Sequence, residues 1–104
     1  MTHIYHIVDQ HTWNKNKNDE LFCAPSLDTV GFIHCCTKEQ IKFVLNNWFQ
    51  DRQGLILITI DPKKLTPRLI FENSEGGDEL FPHLYGPIDL QAVVEIQPNK
   101  KENQ

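Results

Sequence analysis

No apolar run in this chain approaches the roughly 20 residues a membrane helix needs, so a spanning helix is excluded. Positive charge is also scarce. Ten Lys and Arg stand against 14 Asp and Glu, for a net charge of −4. The basic cluster of note is the tail pair Lys100-Lys101. A protein that grips nucleic-acid backbones carries a basic stripe, and none is readable here. A small nucleotide ligand is not excluded by the same argument. Cysteine is limited to Cys23, Cys35 and Cys36, an odd number without the spacing of a disulfide framework. The polar N-terminus shows no signal-peptide pattern. Reduced thiols and a cytoplasmic location follow as expectations. Also missing are a Gly-rich phosphate loop and the His-Glu-x-x-His and Cys-x-x-Cys spacings of common metal sites.

What remains suits one globular domain. A hydrophobic fraction of 39% over 104 residues can form a core without staples, and the expected domain is 1–98 with a tail at 99–104. Ile4 to Val8 reads as a first strand. Asp9 can cap a short helix holding Trp13, followed by a polar loop over Asn14 to Glu20. Leu21 to Leu27, broken by Pro25, reads as irregular or edge-like, and Phe32 to Cys35 as a second strand. Thr37-Lys38-Glu39-Gln40 matches a capping box. Behind it Ile41, Val44, Leu45 and Trp48 fall at i, i+3, i+4 and i+7, one face of the main helix. Leu55 to Ile60 suits a strand covered on both faces. Arg68 to Glu72 and Leu90 to Ile96 read as further strands, and Asn73 to Glu79 as a mobile loop with Gly76-Gly77. The order predicts an α+β domain with a mixed or antiparallel sheet and helices on one side.

Three of the five histidines lie in apolar or turn contexts: His6 in Ile4–Val8, His34 in Gly31–Thr37 and His83 in Phe81–Pro87. Imidazole titrates near neutrality, so its placement among Ile, Phe and Val needs a reason. Each ring is either a satisfied structural group or one part of a shared ligand site. His34 would project from a strand end while Thr37 and the first helical amides face an anion; alternatively Thr37 only caps and His34 bonds a neighbouring carbonyl. Phe81-Pro82-His83-Leu84-Tyr85-Gly86-Pro87 reads as a rigid turn bearing His and Tyr. Glu72 and Glu79 are the carboxylates able to orient an imidazole or act as a base, with Glu72, at the end of an apolar strand, the better placed. Adjacent in a strand, His34 and Cys35 diverge and cannot form a dyad, so Cys35 reads as a small buried hydrophobe. Three imidazoles also raise zinc as an alternative, although their spacing gives no familiar ligand pattern.

Ile-Tyr-His-Ile near the start, Gly-Phe-Ile-His-Cys with a following Thr and Gln, Leu-x-x-Ile-Asp, a later Glu, and Phe-Pro-His-Leu-Tyr-Gly-Pro resemble, in this order, a bacterial family. It is known as domain of unknown function 952. The resemblance spans Ile4 to Ile96. The family pattern reads Cys-Ser-Thr where this chain has Cys35-Cys36-Thr37, which argues against Cys36 as an essential nucleophile. The family's fold is similar to the ADP-ribosyltransferase-like group, which cleaves NAD between nicotinamide and ribose. That similarity implies a split sheet. It places His6 at the first site position and His34 with Thr37 at the second, and leaves Glu72, Glu79 and His83 competing for the third. The RNA phosphotransferase branch of that group relies on arginines as well as histidines. Here only Arg52 and Arg68 occur, and Tyr5 precedes His6, which argues against that activity.

The resulting expectation is a cleft that binds a small molecule, NAD or a related nucleotide, with ADP-ribosyl transfer as the implied chemistry. His6, His34, His83 and Glu72 are the candidate catalytic residues; Tyr5, Thr37, Tyr85 and Gly86 are candidate ligand contacts. A non-catalytic module for a metabolite or a partner, or a three-histidine metal-dependent hydrolase, are the alternatives. No protein partner is readable.

Overall fold

In a computed structural model, residues 2–73 and 77–98 are described. The expected tail at 99–104 and the centre of the expected 73–79 loop lie outside them. The described residues form eight strands and three α-helices in the order β1 (Ile4–Asp9), α1 (Gln10–Asn16), β2 (Leu21–Phe22), α2 (Ser26–Thr29), β3 (Ile33–His34), α3 (Ile41–Trp48), β4 (Leu55–Ile60), β5 (Leu69–Glu72), β6 (Phe81–Leu84), β7 (Ile88–Asp89) and β8 (Val93–Pro98). Single 3₁₀ turns cover Lys38–Gln40, Pro62–Lys64 and Leu90–Ala92. The fold is α+β, and every strand pairing among the described residues is antiparallel. The strands form three small sheets, ordered β1-β4-β8, β2-β7 and β3-β6-β5.

β4 explains the layering. Its residues alternate between two apolar environments, as a strand with period two must. Ile56, Ile58 and Ile60 join Ile4, Val8, Trp13 of α1, Phe22 and Ile33 in the larger core. Leu55 and Leu57 face the other way with Ile7 and Cys36, packed by Ile41, Val44 and Leu45 of α3. Helices therefore cover both faces of this sheet, not the one side expected, because β4 is apolar on both faces.

Local boundaries depart from the sequence reading in several places. Asp9 caps α1, its carboxylate accepting from the Thr12 amide at 3.1 Å. The helix runs on to Asn16, into the stretch expected to be loop, where the Asn16 side chain donates to the Thr12 carbonyl. Pro25 begins a one-turn helix, α2, rather than an edge segment. At the other end, Leu90–Ala92 is a 3₁₀ turn, so the last strand starts only at Val93. α3 follows the expected capping box, in which the Gln40 side chain accepts from the Thr37 amide. Its stripe is only half-buried, with Trp48 54% exposed.

The largest correction concerns Phe81 to Pro87. Its first half is no turn: Phe81–Leu84 is the central strand of its sheet, with β3 on one side and β5 on the other. Proline is tolerated there because of where it sits. Cys35 donates its amide to the Pro82 carbonyl at 3.0 Å, and Pro82, lacking an N–H, returns nothing. The β3–β6 ladder ends at that point. Gly86 follows for a packing reason, since a Cβ there would lie 2.7 Å from Pro67 Cβ and Cγ. Gly86→Ala should therefore cost about 1–3 kcal/mol of stability, the usual range for overpacking against a rigid neighbour. Urea unfolding measures this; a loss below about 0.5 kcal/mol would mean that the contact relaxes.

Candidate functional site

Where β3 leaves β6 it meets β1. Tyr5 and Cys36 exchange two backbone hydrogen bonds of 2.8 Å, an isolated bridge that joins the two larger sheets. Continued in register, an antiparallel ladder would next pair Ile7 with His34, and that rung does not form. The His34 carbonyl instead accepts from His6 Nδ1 at 2.7 Å. A carbonyl can only accept, so Nδ1 carries the proton and Nε2 the lone pair. Strand geometry directs the N–H and C=O of Ile7 the same way as those of Tyr5, into the gap left by the missing rung.

That gap opens into a cavity of about 410 Å³. Tyr5 to Asp9 and His34 to Cys36 line it from the strands, with His83 and Phe81 from β6. α3 and the turn after it contribute Val44, Trp48, Phe49 and Arg52; Ala24 to Ser26 close another side. Ser26 is itself fixed by donating from Oγ to the Phe32 carbonyl at 2.7 Å.

His83 sits directly opposite His34 in the β3–β6 register, and the two ring centroids are 5.7 Å apart. The His83 ring stacks on Phe32 at 4.0 Å and 17°. Its Nδ1 donates to Glu72 Oε2 at 2.9 Å, which leaves Nε2 as its other hydrogen-bonding site. The Tyr85 hydroxyl donates to the same carboxylate oxygen. These two donors, Tyr85 foremost, hold the Glu72 carboxyl below its usual range, and the same bond pushes the Tyr85 phenol up. Glu79 lies elsewhere, accepting from Gln40 Nε2 at 2.7 Å beside the start of α3.

His6 differs in kind. It is 8% exposed, and burial lowers its pKa to about 4, partly opposed by the bond to His34. Its Nε2 is buried with no hydrogen-bond partner among the described residues. An unsatisfied buried acceptor costs about 1–3 kcal/mol.

The sequence-derived candidates thus divide. His6, His34, His83 and Tyr5 line one cavity, with Glu72 behind His83. Tyr85 contacts Glu72, Thr37 belongs to the cap of α3, and Gly86 packs on Pro67. Burial pushes the Cys35 thiol well up and that of Cys36 to about 12, which disqualifies both as thiolate nucleophiles at neutral pH. Among the described residues no three His, Cys, Asp or Glu side chains are grouped to hold a metal ion, and no helix is long and apolar enough to cross a membrane. Sequence reasoning missed Trp48, Phe49 and Arg52 as lining residues. A helical stripe reads as core, and nothing local distinguishes a stripe that ends at a cavity.

A family model described as "Protein of unknown function (DUF952)" matches residues 7–96. The crystal structure of protein CC0527 from Caulobacter crescentus, a structural-genomics target, is 29% identical with a TM-score of 0.84, covering 98% of this chain and 90% of that one. The solution NMR structure of CC0527 is 30% identical with a TM-score of 0.81, covering 99% and 89%. No curated protein matches the chain.

The buried His6 has a pH signature. Its folded pKa lies near 4 against 6.5 for the free side chain, so between these values the unfolded state binds the extra proton. Stability from this group is complete above pH 6.5 and is lost as pH falls toward 4, by roughly 3 kcal/mol. His6→Asn, whose amide can still reach the His34 carbonyl, should remove that part of the acid sensitivity. Urea unfolding at pH 7 and pH 4 for both proteins checks this. Equal slopes would mean that His6 titrates as if exposed.

Proposed function

The chain belongs to the DUF952 family, and from that premise we propose that its cleft binds NAD or a related nucleotide, with ADP-ribosyl transfer as its reaction class. The observation that carries this reading is the missing rung at Ile7, open to an apolar cavity between two oriented imidazoles. A primary carboxamide is complementary to that rung. Its oxygen accepts from the Ile7 N–H and its NH₂ donates to the Ile7 C=O, as a neighbouring strand would. The gap between β1 and β3 corresponds, in this reading, to the cleft of an ADP-ribosyltransferase-like split sheet.

His83 would meet the ligand through Nε2 and act as acid or base, with Glu72 fixing its tautomer from behind. Cleavage of the nicotinamide–ribose bond develops positive charge on the sugar, and the ionised Glu72 would stabilise it through His83. One observation favours a second reading, a binding module without turnover. Glu72 is committed to His83 and Tyr85 and is absent from the cavity wall, whereas direct stabilisation of the sugar needs a carboxylate facing it.

The test is a thermal-shift and calorimetric comparison of NAD, nicotinamide and nicotinic acid. A ligand that binds only the folded state at 100 times its Kd stabilises by about 2.7 kcal/mol. NAD and nicotinamide should raise the melting temperature, and nicotinic acid, whose carboxylate cannot donate to the Ile7 carbonyl, should bind at least tenfold more weakly. Equal binding of acid and amide, or no binding of any, would refute the reading. Release of nicotinamide from NAD, lost in Glu72→Gln, would separate an enzyme from a binding module.

A further inference from the structure

The cavity wall contributed by α3 and the turn after it carries chemistry that the strand side lacks. Trp48 ends the apolar stripe of α3, where helical periodicity would bury it, yet it is 54% exposed and lines the cavity. One turn further on, the Arg52 guanidinium lies 5.4 Å from the centroid of the Phe49 ring and lines the same cavity. It pairs with the Asp9 carboxylate at 4.0 Å, the Arg52 side chain half exposed and that of Asp9 about a quarter exposed. A bond so long and exposed is worth little. It leaves Arg52 able to exchange Asp9 for a better anion, while Asp9 keeps its cap bond to Thr12.

Taking the nucleotide reading as given, we infer that Trp48 and Arg52 form a second subsite of the cleft, for a planar aromatic ring bearing a phosphate. An indole face stacks a heterocycle of any sequence of substituents, so it supplies affinity without demanding particular hydrogen bonds. A guanidinium pairs with phosphate oxygens through two parallel N–H bonds, better than with a carboxylate at 4.0 Å. The subsite fits a nucleoside phosphate of either purine or pyrimidine type, with Arg52 selecting for the phosphate and Trp48 for the ring.

The two tryptophans make a direct optical test available. Trp13 is 3% exposed and packed on Phe22 at 4.5 Å, so a ligand-dependent change in emission reports on Trp48. AMP should quench that emission and bind about tenfold more tightly than adenosine, and inorganic phosphate alone should bind weakly and quench little. By calorimetry Trp48→Ala should weaken AMP and adenosine alike by tenfold or more, with Trp48→Phe retaining most of the affinity. Arg52→Gln should bring AMP down to the level of adenosine and leave adenosine unchanged. Variants are compared at matched unliganded melting temperature, which excludes a folding defect as the cause. Equal affinity of wild type for AMP and adenosine, or a preference for AMP that survives Arg52→Gln, would overturn the subsite, as would AMP binding undisturbed in Trp48→Ala. Nicotinamide binding without any AMP binding would overturn it and leave the strand-side reading intact. Absence of both would remove the two together.

Discussion

One backbone bridge, Tyr5 to Cys36, is the constraint on which the architecture of the cleft depends. The segment Ile33 to Cys36 changes partner in four residues, pairing with β6 through His34 and with β1 at Cys36. Pro82 helps to force the change, because it has no N–H with which to extend the first ladder. His6 ends the second ladder, because its imidazole occupies the His34 carbonyl that the next rung would have used. Two sheets are thereby held together at one point and diverge beyond it. The divergence is the cavity.

The same arrangement accounts for the different characters of the histidines. His6 is a neutral, buried strut with a fixed tautomer and an acceptor atom left over. His83 is held on the opposite side between the face of Phe32 and an ionised carboxylate that Tyr85 also serves. Backbone geometry at Ile7 supplies a donor and an acceptor between them. Polar groups are few and oriented in an otherwise apolar hollow, as in small-molecule sites generally.

Much of the fold was legible in the sequence because it is written locally. Ile4 to Val8 and Leu55 to Ile60 announce strands by composition and length, and Thr37 with Gln40 announces the start of the main helix. Asp9 at the head of α1 is legible for the same reason. The partner switch was not, since it is decided by bonds between residues about 30 apart in sequence and by a proline that looks like a turn former. Trp48 was legible only as part of the apolar face of the main helix, because periodicity reports which face of a helix is apolar, not what lies opposite it. His6, His34 and His83 could be picked out as polar groups in apolar settings. That they share one cavity, with His6 bonded through the His34 backbone and not through its ring, is a property of the tertiary structure alone.

Amide hydrogen exchange at Ile7 tests the split ladder most directly. The neighbouring amides of His6 and Val8 are directed toward β4, in register with Ile58 and Ile56, whereas that of Ile7 is directed into the cavity. Site-resolved exchange should find the Ile7 amide markedly faster than those of His6 and Val8, and slowed to their level when NAD is added. Protection of Ile7 equal to its neighbours without ligand would mean that the ladder continues to His34, and the account of the cleft would be wrong.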